Sequence, residues 1–517
     1  MLNQPAKRVV LPVMLISILL VSSLIVGIST AQILVTSVNI SSFGTISYTP
    51  IDFEMIIDSP QHRYYTAAIV PMQLISEADE PITWNIYNGI NWLYKSNQIY
   101  TSPTQVILDN GEYELHVWVN GQIVDNVVFG VNLRNIGSVY ATGGSNVAIQ
   151  AAVNSASSGY AVYLPGGTYV FDSASPWTSV NIPAGISIYG APALRNANGF
   201  IETYSTILTA YDWAVPDSNI WFYYSGASES LTRFTGVKCI GYREMHPTYL
   251  TSRTTPFYWS ATSELRFDHN YLKNTLGQSV KIGGGYGLVD HNEFVNTPFT
   301  HTTFTLWDDL TAWYAINYYP NHAWVDPYTL YGLYSTRTLV IENNYFEGWF
   351  TGVNFAGSNH VIVRYNDETN IGQLVTSHQE FTEGRAGDAA EIYNNKGSAI
   401  SSVCGVRHFV NAQTGGHLVY NNIVSGYGTA AGDNFNALVS LRNYDLGIHS
   451  FSFIQDTYIW DNTMTNGNDI YDVHEDNNTP HNSLPVLNTD FFLRAPSLVQ
   501  DGWAYIPYVY PHPLVGK

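Results

Sequence analysis

Charge is what this sequence has least of. Of 517 residues, charged side chains make up 12%, about half of the ~25% found in an ordinary soluble domain. Lysine and arginine number 21 against 41 aspartates and glutamates, a formal net charge of −20. That balance repels nucleic acid and anionic lipid surfaces, so no nucleic acid is expected as a partner. It also disfavours polyanionic glycans unless a cation bridges them. Cysteine is nearly missing too. Cys239 and Cys404 are the only two, so at most one disulfide can form; whether they pair or stand as two buried thiols is open. Long helical periods are absent, which excludes an α/β barrel with a helix after every strand. The surface must instead be built from Asn, Ser, Thr, Gly and Tyr, with 38 Tyr. Such a surface suits an extracellular protein.

The start of the chain agrees. Lys7 and Arg8 precede an apolar run from Val9 to Ile28, and Ser29-Thr30-Ala31 follow it. About 20 apolar residues suffice to span a bilayer, and basic residues before the run keep that end cytoplasmic. Residues 1–32 therefore read as a signal peptide or a transmembrane anchor, associated with the membrane, and the remainder as extracellular or cell-surface. From 35 to 133 the pattern is short alternating strands. In Asp109–Gly121 (DNGEYELHVWVNG) Tyr113, Leu115, Val117 and Val119 fall on alternate positions between two Asn-Gly turn signals. D-x-G-x-Y leading into a strand resembles the tyrosine corner of Ig-like β-sandwiches.

The style changes near Asn135. A short amphipathic helix over Val147–Val153 is followed by GYAVYLPGGTYVF (Gly159–Phe171) and VNIPAGISIYG (Val180–Gly190). In that order they resemble the entry of pectate-lyase-like proteins. The resemblance implies an all-β fold over 135–517, a right-handed parallel β-helix, with the short helix capping its open end. Repetition supports it. Asn270 and Asn292 stand 22 residues apart, as do Asn344 and Asn366, and longer intervals lead on to Asn395, Asn422 and Asn462. These read as coil corners, because Asn tolerates left-handed backbone and stacked Asn side chains can hydrogen-bond from rung to rung. The final YIPYVYPHPLV, Tyr505–Val515, is expected to cover the last coil.

The residues that could carry chemistry are few. A polygalacturonase-type hydrolase would need paired carboxylates with G-H-G and R-I-K motifs; Asp308-Asp309 is the one such pair, and Thr414-Gly415-Gly416-His417 is not G-H-G. LRFDHN and GLVDHN resemble a coil of the Ca²⁺-dependent pectate lyases, but the R-x-P-x-x-R that follows in that family is missing. Asp268-His269 and Asp290-His291 therefore read as corners. β-Elimination needs a base and a cation to neutralise a uronate carboxyl. His378, Arg385 and Glu391, gathered in one irregular coil between Thr376 and Glu391, are the catalytic candidates, with a surface ion pair and a turn cap as the alternative. Arg364, Arg407 and Arg442 each close a coil and could align along the substrate. Segment 297–337 is rich in aromatics, and Trp307, Trp313, Tyr319 and Trp324 offer flat faces to sugar rings. No metal site is assigned. The acidic turn Asp472–Asn478 could hold Ca²⁺ or be a solvated loop. The expected function is binding or cleaving polysaccharide on the cell surface, lyase-like or hydrolase-like. The alternative is a non-catalytic surface structural protein or adhesin.

Overall fold

A computed structural model describes the strands between residues 55 and 131 and most of 138–516. Residues 1–54, the links between the early strands, and the segments 173–178, 212–219, 242–254, 297–311, 319–324, 378–387, 400–407, 428–436, 444–452 and 475–483 are the main parts outside them. The apolar run that suggested a signal or anchor is among the latter. Among the described residues no helix is long and apolar enough to cross a membrane.

The early strands form a three-stranded and a five-stranded sheet. Strand Gly111–Val119 pairs antiparallel with Ile82–Tyr87 on one side and Gln122–Val131 on the other. Its alternation is the expected one: Tyr113, Leu115 and Val117 are buried and the residues between them are not.

From Ser138 onward the chain is a parallel β-helix. Three sheets, here A, B and C, carry twelve, ten and ten strands, each paired in parallel with the strand one coil before and after. Sheet A runs from Ser138–Tyr140 to Phe491–Phe492, sheet B from Gly167–Asp172 to Thr463–Thr465, and sheet C from Val180–Pro183 to Asp469–His474. Both faces of most sheet A strands are buried, which explains their continuous apolar runs. One inward column stacks Phe234, Phe267, Val289, Ile341, Val363, Ile392, Val419 and Ile459 in register, all within the interior cluster. Burying each such side chain stabilises the coil by about 1.5–3 kcal/mol. Helix α1, Asn146–Ser155, covers the first coil with Ile149, Ala152 and Val153, and Ser145 Oγ caps it by accepting from the Ala148 N–H at 3.3 Å. Cys239 is a free thiol buried in this core.

The sheet A to sheet B corner explains the asparagines and corrects one expectation. The left-handed residue is not the repeating Asn but the one before it: His269, His291, Asn343, Tyr365, Asn394, Asn421 and Asp461 all have φ between +50° and +57°. The repeating Asn turns its amide inward. Asn344 Oδ1 accepts from both the backbone N–H and the Nδ2 of Asn292, and Asn366 Oδ1 does the same for Asn344. The pattern continues through Asn395 and Asn422 to Asn462. Each Nδ2 also donates to a carbonyl of the preceding rung, as Asn344 does to Val289 at 2.9 Å. The buried corners thus satisfy one another along the whole stack.

The tyrosine-rich C-terminal segment is not the cover on the last coil that the sequence suggested. It runs as a strap down the outer face of sheet A, from Trp503 against Tyr458 to Val515 beside Arg266. Buried charges hold its backbone. Arg364 donates to the carbonyls of Tyr508 and Val509 at 2.6 and 2.7 Å, and Arg266 to those of Leu514 and Val515. Glu342 Oε1 accepts from the His512 N–H at 2.8 Å. Leu288, Val340, Ile362, Leu418 and Leu514 fill the space beneath as a second apolar cluster.

Candidate functional site

Each coil runs from sheet A through B to C. From Thr235 onward the A-to-B corner is two residues long in every coil, whereas all the long segments fall on the B-to-C or C-to-A links. The insertions therefore border one sheet, C, on both of its sides. Long connections on one face of a regular scaffold are where function concentrates.

The outer row of sheet C runs Tyr223, Tyr258, Lys281, Asn317, Asn354, Thr376, Asn411, Ser440 and Asp472, one residue per strand and all in register. Strand alternation puts it there: Val280, Ile316, Val353, Val375, Val410 and Val439, one position earlier, point into the core. Neighbouring rungs lie about 4.8 Å apart, so the row is a ladder of amides and hydroxyls at that spacing. Asn354 Nδ2 donates to Asn317 Oδ1 at 2.7 Å, and Asn317 Nδ2 to Gln278 Oε1 at 3.0 Å. Asn354 Oδ1, Thr376 Oγ1, Asn411 Oδ1 and the neighbouring Gln413 Oε1 are buried with no hydrogen-bond partner among the described residues. Leaving such an acceptor dry costs about 1–3 kcal/mol, so three on successive rungs of one row, with Gln413 beside them, mark a face suited to an external donor. At one end of the row Tyr223 and Tyr258 meet edge to face at 5.4 Å, with Lys281 Nζ 4.8 Å from the Tyr258 ring centre. At the other, His408 Nδ1 lies 4.0 Å from Asp472 Oδ2.

The candidates read from sequence divide between two faces. His378 directly follows the sheet C strand Gln373–Ser377, and Tyr319 follows Ala312–Tyr318, which contains Trp313. His378, Arg385, Arg407, Trp307, Tyr319 and Trp324 lie outside the described residues. Arg442 ends the sheet C strand Ala437–Arg442, with Nε 3.5 Å from Ser440 Oγ. Arg364 and Glu391 instead belong to adjacent strands of sheet A and lie beneath the strap, so they do not share a face with Arg442. Arg364 is fully buried and ion-paired with Glu342 at 2.7 Å; burial pushes the Glu342 carboxyl up against the pull of Arg364. Glu391 accepts from the Gly332 N–H and the Tyr505 hydroxyl and bonds His360 Nε2 at 2.8 Å. Asp268-His269 and Asp290-His291 sit at corners, each His Nδ1 on its own Asp, with the rings stacked at 4.9 Å. Burial lowers His269 to about 3, so that ring is neutral near pH 7. Among the described residues no group of three or more His, Cys, Asp or Glu could hold a metal ion.

The polar row of sheet C was missed in the sequence. Its signal was present: Asn354 and Thr376 each stand ten positions after their ladder asparagine, Asn344 and Asn366. Insertions of different length hide the equivalent Asn411 and Ser440.

No family model and no curated protein matches this chain. Among solved structures, the alginate lyase from Paenibacillus sp. str. FPU-7 aligns with a TM-score of 0.39 and 13% identity, over 65% of this chain and 97% of that one. The A-module of the Azotobacter vinelandii mannuronan C-5 epimerase aligns at 0.36 and 11%, over 64% and 92%. The Yersinia enterocolitica family 28 exopolygalacturonase aligns at 0.31 and 12%, over 85% and 98%. At these values the likeness concerns the coil and says nothing of the site.

Proposed function

We propose that the outer face of sheet C binds a polysaccharide chain laid across the rungs. The observation that carries this is the register-aligned row through Asn354, Thr376 and Asn411, three successive strands that each carry an acceptor unpaired among the described residues. A polymer of hydroxyl-bearing sugars supplies donors at repeated spacing, and Tyr223 and Tyr258 offer ring faces at one end of the row. Residues 1–32 as an export signal or anchor, and 35–133 as an Ig-like spacer, belong to the same reading: they would present the coil outside the cell.

The test is a polysaccharide panel applied to the full chain, scored for binding and in parallel for new reducing ends or unsaturated uronates. Replacing Asn354 and Asn411 together by Ala should weaken binding about tenfold or more, the loss of at least ~1.4 kcal/mol. Unchanged binding would sink the groove. Product formation would assign turnover to it, and His378→Ala would then report whether that side chain is the base.

A further inference from the structure

The one long link between sheets A and B, residues 190–205, lies beside the outer face of sheet B. Arg195 and Ile201 bridge antiparallel to make a small hairpin. Asn196 Oδ1 holds its turn by accepting from the N–H groups of Asn198 at 2.9 Å and Phe200 at 3.1 Å. Gly199, at φ +86°, comes so close to the corner that an added Cβ would fall 2.5 Å from the His291 ring, and Phe200 meets that ring edge to face at 6.0 Å. Arg195 is further tied to Glu112 at 2.8 Å. The hairpin is therefore fixed, and a cleft of about 760 Å³ opens between it and sheet B. Lys238, Tyr271, Glu293, Tyr345 and Asp367, in register on successive strands, line it. Tyr204 comes from the link, its ring 6.1 Å from that of Tyr271. The Tyr204 hydroxyl is buried with no hydrogen-bond partner among the described residues.

We propose that this cleft is a second glycan site, separate from the sheet C row and selective for a neutral saccharide. Its size falls within the ~300–1,000 Å³ of small-molecule sites. Tyr204, Tyr271 and Tyr345 supply flat rings with polar edges, the surface that suits a sugar. Glu293 and Asp367 accept hydrogen bonds from hydroxyls and repel uronates. Lys238, its ammonium 5.0 Å from the Tyr271 ring centre, offsets only one of the acids Glu202, Glu293 and Asp367 of the lining, which stays net negative. Burial pushes the Tyr204 phenol up, so it stays protonated and offers its hydrogen to a ligand oxygen. Burial also pushes Glu293 up, against the pull of Lys238.

The test titrates the full chain with neutral hexasaccharides (cello-, xylo-, manno-, laminari- and malto-) and with oligogalacturonate, by calorimetry. At least one neutral oligomer should bind. Tyr345→Ala should weaken it about tenfold or more, and Tyr204→Phe, which removes only the hydroxyl, several-fold less. Asn354→Ala/Asn411→Ala should leave it unchanged. The proposal is overturned if no neutral oligomer binds, if a correctly folded Tyr345→Ala binds as the parent does, or if the sheet C variant abolishes the same binding. The last outcome would leave the sheet C groove standing alone.

Discussion

Sheets A and C are built from the same coils, yet their outer faces are finished in opposite ways. On sheet A the outward positions carry Arg266, Asp290, Glu342, Arg364 and Glu391, and each of these charges is buried and matched. The strap supplies many of the partners through its backbone. On sheet C the outward positions carry Asn, Thr and Ser, with acceptors left unmatched and insertions on both sides. The lesson concerns how to read charge in a chain so poor in it. The few charged residues that stand out in sequence serve as internal fasteners on one face. The open face is written in amides and hydroxyls, which recur all along the coil and so are the least conspicuous.

That contrast can be broken most directly at Arg364. Arg364→Ala removes the partner of a buried Glu342 and two bonds to the strap, and should cost about 3–5 kcal/mol in urea denaturation. Asn411→Ala on the other face should cost less than about 1 kcal/mol, because its Oδ1 has no partner to lose. Equal costs would erase the distinction between the faces.

A second handle is His417, on sheet A, whose Nε2 reaches Ser377 Oγ of sheet C through the interior at 3.1 Å. Burial lowers this ring from its ordinary value near 6.5 to about 3. The unfolded chain takes up a proton below about 6.5 that the folded chain refuses. The stability tied to neutral His417 is therefore fully present above that pH and is lost as pH falls toward about 3, at up to ~1.4 kcal/mol per unit. Urea midpoints at pH 7, 6 and 5 should fall in the parent and fall less steeply in His417→Gln. Parallel slopes would show that the ring takes up its proton in the folded state as well.

On the strap itself, a smaller effect than that of Arg364→Ala should come from Tyr505→Phe. It removes one hydroxyl donated to Glu391 and leaves the ring packed beside Tyr420 at 5.7 Å. A loss of about 1.5–3 kcal/mol is expected, as for a hydrogen bond to a charged group, read from the thermal midpoint. No loss would mean that the strap is held by its backbone alone.

The coil itself was legible because its signals are local. The LPGGTY and IPAGISIYG stretches and the spaced asparagines each lie within one rung, and a rung repeats. The one-residue error at the corner arose because Asn occurs at both positions in Asn343-Asn344, Asn394-Asn395 and Asn421-Asn422. Only His269, His291, Tyr365 and Asp461, which take the left-handed position elsewhere, separate the two roles. The role of Arg364 was not legible. Its partners at Tyr508 and Val509 stand 144 and 145 residues downstream, and no local pattern announces them. Glu391 was singled out because its coil breaks the regular spacing; its Tyr505 partner lies 114 residues on.

The strap also sets an order of events during synthesis. Arg266 finds its carbonyl partner at Leu514, 248 residues later. At roughly 5–20 residues per second a ribosome needs on the order of 12–50 s to bridge that interval. Throughout it the coil can stack rung upon rung, each new Asn closing the last. The charged outer face of sheet A meanwhile stays wet, and becomes dry only when the strap arrives. Growth of the rod and sealing of its flank are thus separate steps, and the second waits for the first.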